Sequence, residues 1–301
     1  MGPRRMRAHH AAEAGERVQI VCPPSSDTEK QEDNNAMQQI ISEREVIRLV
    51  RALRPMILDR TGAADVHEKS AANYVTATDL AVQHTLSRQL GERWPGIQFM
   101  GEEEGAVARR PDRPMWILDP IDGTANLVHG YGESAVSLAL WDGREVVLGV
   151  VYNPFREEVF SATRGMGSRC NGGRIRCSGR ADLGHSLAIF GSSPYEKAER
   201  ADALFDSLKR LYLHTEDLRR GGSAAIDLCR VAAGRAELYF EYNLKPWDYA
   251  AGQLIIREAG GVCTTMDGGR LCPLENADIL VTNGLIHAQA LSLLRGTEKG
   301  G

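Results

Sequence analysis

Residues 115–118, Met-Trp-Ile-Leu, are apolar at four successive positions and run straight into the segment Asp119-Pro120-Ile121-Asp122-Gly123-Thr124. A strand with no polar face must be covered on both sides, so the chain is predicted to stack layers around it. Its carboxyl end, where ligands gather in such sheets, carries two acids. A lone carboxylate there costs several kcal/mol to bury and needs a compensating cation, yet the motif contains no Lys or Arg. Pro120 removes one backbone donor and stiffens the turn. Gly123 lets the backbone approach closely. Asp122, Gly123 and Thr124 are predicted to begin a helical turn whose free N–H groups suit a phosphate.

The rest of the chain supplies the layers. From Met37, residues Ile40, Ile41, Ile47, Val50, Leu53 and Ile57 recur at three- and four-residue steps and predict a helix that Pro55 kinks or ends. Residues 60–73 read as a loop or loose hairpin, and 74–79 as a short strand stopping at Asp79. A helix through Leu80, Leu86 and Leu90 follows, then a short strand closing at Gly101-Glu102. Residues 134–154 read as a β-hairpin turning at Asp142-Gly143. The Gly165 and Gly167 pair reads as a turn, because no helix pattern follows it as a nucleotide loop requires. Beyond about residue 183 strands and helices alternate, with helices predicted over 194–211, 221–235 (closed by Gly234), 247–261 and from Leu285. The fold class is therefore α+β in the first part and α/β in the second. Three regions are expected: a mobile extension over 1–36, an α+β subdomain over 37–182 and an α/β subdomain over 183–301.

Composition excludes several functions. With 43% apolar and 25% charged residues, a net charge of −4 and no basic stripe, the chain reads as soluble and a poor partner for nucleic acid. No apolar run approaches the ~20 residues that cross a bilayer. The six cysteines form no C-x-x-C pair, so zinc finds no support and no disulfide framework is expected. Cys229 and Cys263 read as small core residues, and a reducing cytoplasm is the default.

Asp79, Glu102, Asp119, Asp122 and Asp248 all stand at element boundaries beside apolar runs. Helix capping is the ordinary role for Asp79 and Asp248. Taken together with the Ile121 carbonyl, the set offers only hard oxygen donors, which select Mg²⁺, Mn²⁺ or Ca²⁺ over zinc or copper. Several carboxylates exceed what one Mg²⁺ takes and suit two or three ions sharing a phosphate.

The motifs Gly101-Glu102-Glu103, 119–126 (DPIDGTAN) and 247–261 (WDYAAGQLIIREAGG), extended by 69–79 and 222–229, resemble the signatures of the inositol monophosphatase family over about residues 37–295. The resemblance implies a layered αβαβα sandwich of the sugar-phosphatase type, commonly dimeric, and a Mg²⁺-dependent, lithium-sensitive phosphomonoesterase. It implies that Glu102, Asp119 and the Ile121 carbonyl hold a first metal, that Asp119, Asp122 and Asp248 hold a second, and that Asp79 and Glu102 hold a weaker third. Thr124 would orient the attacking water, with Glu102 as base or relay. The Gly123 and Thr124 amides would hold the phosphate. Glu241, Ser192 and Ala224 match substrate-pocket positions, and Lys69 matches a lysine near the metals. Lys245 and Pro246 depart from the animal pattern where the leaving group sits. Trp116 and Trp247 read as packing residues. The substrate expected is a small polyol phosphate, inositol 1-phosphate first. Histidinol phosphate, other sugar phosphates, fructose 1,6-bisphosphate and 3′-phosphoadenosine nucleotides are the alternatives. A regulatory binding protein without catalysis is the rival class; a lost metal ligand would favour it, and none is lost.

Overall fold

The computed structural model describes residues 41–59, 61–62, 66–70, 73–103, 109–194 and 196–296. The extension over 1–36 lies outside them. Seven strands form the larger sheet in the order β3-β4-β5-β6-β7-β8-β9. They are Gln98–Gly101 (β3), Met115–Asp122 (β4), Ala135–Trp141 (β5), Val146–Asn153 (β6), Glu158–Thr163 (β7), Ser168–Cys170 (β8) and Gly173–Arg174 (β9). Only β3 and β4 pair in parallel. The smaller sheet joins Asp217–Arg219 (β11), Leu187–Phe190 (β10), Leu238–Leu244 (β12), Ala277–Thr282 (β14) and Val262–Thr265 (β13) in that order. Here β10 runs parallel to both neighbours, and the remaining pairs are antiparallel. A separate hairpin pairs Val66–Ser70 (β1) with Asn73–Thr76 (β2).

The apolar run at 115–118 is explained by what covers it. Trp116 and Leu118 point into a core shared with helices α1 (Glu43–Arg51), α2 (Arg54–Leu58) and α3 (Ala77–Arg93). Met115 and Ile117 point the other way, into a core shared with α6 (Ala224–Ala232) and α7 (Pro246–Glu258). Strand residues alternate faces, so burial on both faces needs an unbroken apolar run. That second core continues through α6 and α7 to Ile189, Tyr239, Ile279 and Val281 of the smaller sheet. The far face of the smaller sheet is closed by α5 (Lys197–His214) and α8 (His287–Arg295). The order of layers is thus αβαβα, as the family resemblance implies. Gly149 makes the central contact close: a Cβ there would stand 2.7 Å from the Ala251 carbonyl oxygen of α7. Trp116 is 1% exposed and packs 5.5 Å from Trp94; truncating it to alanine would cost roughly 3–5 kcal/mol.

Some boundaries differ from expectation. The first helix begins at Glu43, after Ser42 at its N-cap, and its earlier predicted residues 37–40 lie outside the described ones. It stops at Arg51, and Pro55 sits in the first turn of a separate α2, where a missing N–H breaks no helical bond. Residues 77–79 do not continue a strand: Asp79 is the third residue of α3, in a capping box with Thr76. In consequence Thr78, Asp79, Val82, Gln83, Leu86 and Leu90 form the buried face, and Leu80, expected inside, is 49% exposed. The helix expected over 194–211 runs Lys197–His214. The 142–145 turn and the glycine turn at 165 and 167 stand as read, with positive φ at Gly143, Gly165 and Gly167. Cys170, Cys177, Cys229 and Cys263 are free, the last two buried. Cys272 is disulfide-bonded, a departure from the expectation of thiols throughout. Among the described residues no helix is long and apolar enough to cross a membrane.

Candidate active site

The site is built at the carboxyl end of β4. In the β4–β5 ladder Asp119 faces Ser137 and Asp122 faces Ala135, so β4 carries one extra residue between them. This bulge at Pro120-Ile121 re-aims both acids toward the same side, a common use of bulges. The turn is locked from within, since the Ile121 amide donates to Asp119 Oδ1 at 2.9 Å. Gly123 follows in the left-handed region at φ 86° and caps α4 (Thr124–His129). A side chain there would stand 3.0 Å from the Gly222 carbonyl oxygen and 3.1 Å from that of Glu133. Glycine therefore satisfies both the backbone angle and the space.

Three other segments meet this turn. The Glu102 amide donates to the Leu118 carbonyl at 3.1 Å, which sets Glu102 beside the end of β4. Gln83 of α3 holds the same loop by accepting from the Glu103 amide at 2.9 Å. A Cβ on Gly101 would lie 2.3 Å from Gln83 Oε1, so the loop passes close against that side chain. Asp122 Oδ2 accepts from the Ser223 hydroxyl and, at 2.7 Å, from the Ala225 amide at the start of α6. Asp248 is the third residue of α7, where its Oδ2 accepts from the Lys245 amide at 2.8 Å. Asp79 Oδ2 accepts from the Thr76 amide at 2.9 Å and from the Thr76 hydroxyl. Both helix caps are thus real. A cap uses only one carboxylate oxygen, so it does not exclude a second role for the other.

One oxygen from each of Asp119, Asp122 and Asp248 lies within 4.8 Å of the other two. Burial holds the Asp119 carboxyl well above the usual carboxylate range, and the charges of Glu102, Asp122, Asp248 and Asp79 push it further. Burial likewise raises Asp122 to about 6, offset by its bonds from Ser223, Ala225 and Ala224. Asp248 is raised by burial and by Asp122. The charge of Lys245 opposes the rise at Asp248, while no cation appears among the causes acting on Asp119 or Asp122. Like charges crowded in a low-dielectric place without a cation are costly. An all-oxygen donor set with that charge fits a hard divalent cation such as Mg²⁺. Glu102 and Asp79 stand outside the tightest trio. Thr124 Oγ1 links Asp79 to it, lying 3.1 Å from Asp79 Oδ1 and 3.0 Å from the Ile121 carbonyl oxygen.

These groups line a cavity of about 370 Å³. Of the residues singled out from sequence, Glu102, Asp119, Ile121, Asp122, Gly123, Thr124, Ser192, Ala224, Glu241 and Asp248 all border it. Asp79 reaches it through Thr124. Lys69 lies on β1, at the point where the β1–β2 register slips, and its side chain is outside the described part. Glu241 enters from β12, buried, and accepts from the Tyr239 hydroxyl. Burial raises its carboxyl to about 8; Asp122 and Asp227 add to this, while the Tyr239 bond and Arg220 oppose it. A Cβ on Gly191 would stand 1.8 Å from Glu241 Oε2, so in this conformation the carboxylate lies directly against the glycine. Trp116 is buried in one core and Trp247, half-buried, packs against the other, as expected, and the indole nitrogen of each lies buried without a hydrogen-bond partner. Lys245 and Pro246 form the N-cap and first turn of α7, and Lys245 Nζ reaches Asn243 Oδ1 at 3.2 Å.

Sequence reading missed Gln83, Ser223, Asp227 and Arg220. Ser223 was legible as the residue that opens α6, an N-cap signal, but not as a partner of Asp122. Asp227 lines the cavity and pairs with Arg230 at 2.7 Å; burial first, then Asp122, raises it to about 7 against that arginine. A larger cavity of about 760 Å³ lies beyond Asn243. Two of its acids, Glu196 and Asp278, pair with Arg200 at 3.0 and 3.4 Å.

Comparison with known proteins agrees with the geometry. The chain is 41% identical over 199 residues to the Nus factor SuhB of Xylella fastidiosa, covering 66% of this chain and 71% of that one. It is 37% identical over 227 residues to an inositol-1-monophosphatase of Mesorhizobium japonicum, covering 75% and 85%. The solved IMPase of Thermotoga maritima superposes with a TM-score of 0.76 at 32% identity, covering 84% of this chain and 96% of that one. The model of the inositol monophosphatase family matches residues 31–298. With its layers, its acid-bearing bulge and this match over nearly its whole length, the chain belongs to the inositol monophosphatase family.

Proposed function

We propose that this chain hydrolyses the phosphate monoester of a small polyol, inositol 1-phosphate first among candidates, with two or three Mg²⁺ ions. Family membership supports a metal-dependent sugar- or polyol-phosphate phosphatase as the general reaction. The observation that carries the reading is the meeting of Asp119, Asp122 and Asp248 within 4.8 Å, in a cavity that also holds Thr124 and Glu241. In this reading Glu102, Asp119 and the Ile121 carbonyl would hold one ion and Asp119, Asp122 and Asp248 another, with Asp79 and Glu102 at a weaker third. Mn²⁺ would substitute. Such ions, when bound, lower the pKa of water and stabilise charge on ester oxygens.

The protein's own groups do the positioning. Thr124 Oγ1 orients the attacking water, and Glu102 accepts its proton. The water oxygen bonds to phosphorus as the ester P–O bond breaks, and the leaving polyol oxygen takes up a proton from solvent water to depart as the alcohol. The amides of Gly123 and Thr124 hold the phosphate oxygens. Glu241, Ser192 and Ala224 contact the leaving polyol, and Lys69 supports the ion-binding end. The same reading includes a homodimer, inhibition by lithium and a cytoplasmic location. Histidinol phosphate, other sugar phosphates, fructose 1,6-bisphosphate and 3′-phosphoadenosine nucleotides remain the alternative substrates. Some relatives carry the name Nus factor; a purely regulatory role is the weaker reading, because the donor set is complete.

The test is phosphate release from a panel of these esters with Mg²⁺ and with EDTA. Release from inositol 1-phosphate that stops in chelator supports the proposal. Undiminished hydrolysis in chelator, or none on any ester, overturns it.

A further inference from the structure

Tyr239 and Glu241 stand two residues apart on β12. Strand side chains alternate faces, so both emerge on the same side of the smaller sheet. They differ in what covers them. Tyr239 is flanked by Ile189 of β10 and Val281 of β14 and is fully buried in the core shared with α6 and α7. The ladder with β10 ends one residue later, at Phe190 and Phe240. Glu241 is therefore the first residue of β12 beyond the end of β10. Its carboxylate lies against Gly191 and borders the active cavity. The Tyr239 hydroxyl donates to Glu241 Oε2, and among the described residues Oε1 accepts no hydrogen bond. A phenol this deep needs a partner for its polar tip, and the acid two residues on supplies it.

We infer that Tyr239 is a positioning residue for substrate choice: its hydroxyl holds one oxygen of Glu241 so that the other is presented to a hydroxyl of the leaving group. The inference deepens the phosphatase reading and rests on it. A carboxylate in this place has a competing partner. The charge of Arg220, which borders the same cavity, acts on Glu241, and a guanidinium can take both oxygens of a carboxylate through two parallel bonds. Such a pair would leave no oxygen for a polyol. Tyr239, close-packed in the core, is a fixed point that opposes it. Esters whose leaving groups carry hydroxyls then gain a bond that apolar leaving groups cannot make.

The experiment compares inositol 1-phosphate with phenyl phosphate, whose phenyl group carries no hydroxyl, in Mg²⁺. Tyr239→Phe removes one oxygen atom and keeps the ring. It is expected to raise KM for inositol 1-phosphate about tenfold, the scale of one hydrogen bond to a charged group, with kcat within about twofold of the parent. Both constants for phenyl phosphate should stay within about twofold. On a Glu241→Ala background the same substitution should change neither ester further, because it acts only through the acid. Gly191→Ala approaches the pair from the other side. Its methyl group displaces the carboxylate from Tyr239 and should reproduce the split even if the Phe variant fails to fold. A rise in KM shared by both esters, or by neither, overturns the role of Tyr239 and leaves the phosphatase reading standing. A wild-type protein that hydrolyses neither ester overturns that reading as well. One that hydrolyses phenyl phosphate alone overturns the polyol as substrate and the inference with it.

Discussion

Thr124 Oγ1 lies 3.1 Å from Asp79 Oδ1, while Asp79 Oδ2 caps the Thr76 amide at 2.9 Å. One buried carboxylate therefore fastens the start of α3 and at the same time orients the hydroxyl of the motif. Thr124→Ala removes that hydroxyl without disturbing the cap. It is expected to lower kcat about 100-fold, in the range of a positioned proton-transfer group, and Thr124→Ser is expected to retain most of the rate. Phosphate release by the two variants, with melting temperature as a check on folding, measures this.

Asp119 separates chemistry from stability. Its carboxylate is disfavoured by burial and by four neighbouring acids, so the neutral isostere relieves the metal-free fold. Asp119→Asn is expected to abolish measurable turnover and yet melt higher than the parent in EDTA. A gain of about 1 kcal/mol would raise the midpoint by roughly 2–4 °C. Thermal melts in chelator read the sign. A variant that melts lower, or one that remains fully active, contradicts the view of these acids as assembled for cations.

What could be read in advance depended on how local each signal was. The motif at 119–124 was legible because a buried strand, a proline and a glycine sit side by side. So was the layered fold, since the apolar run at 115–118 has no face to spare for water. Asp79 was recognised as a site acid but placed in a strand, because Tyr74, Val75 and Thr76 look extended and are. The signal that corrects it was present: Thr76 followed three residues later by an acid is a capping box. Leu80 then faces solvent because Asp79 and Gln83 take the buried face. Gln83, Asp227 and Arg220 had no such local mark. They reach the site from residues that share nothing with the motif until the chain is folded, and Gly101, Gly191 and Gly221 are the places where those approaches become tight.

Removing metal should cost stability as well as activity. Any ligand that binds only the folded state adds RT ln(1 + [L]/Kd), about 2.7 kcal/mol when it is present at 100 times Kd. Mg²⁺ is therefore expected to raise the melting temperature in a saturable way, with Mn²⁺ acting similarly, and millimolar-scale Li⁺ should suppress turnover. Melts and rates across a Mg²⁺ titration, with Asp248→Asn as comparison, test the link: the variant should lose most of the Mg²⁺-dependent rise. An unchanged rise would place the ions elsewhere.

The metal-free protein should also report Glu241 through pH. Burial raises this carboxyl from its ordinary value of 4.5 to about 8, with Asp122 and Asp227 adding to the shift. The folded state then holds the proton more tightly than the unfolded chain, so unfolding releases it and stability falls as pH rises. The contribution is fully present below about pH 4.5, declines from there to about pH 8, and is flat above that value. Glu241→Gln cannot ionise. In EDTA its unfolding free energy should fall less steeply than that of the parent between pH 5 and 8, and the two curves should diverge most at the alkaline end. Urea unfolding at several pH values gives both slopes. Parallel curves would mean that Glu241 is already ionised in the folded protein, held charged by Arg220 and the Tyr239 hydroxyl.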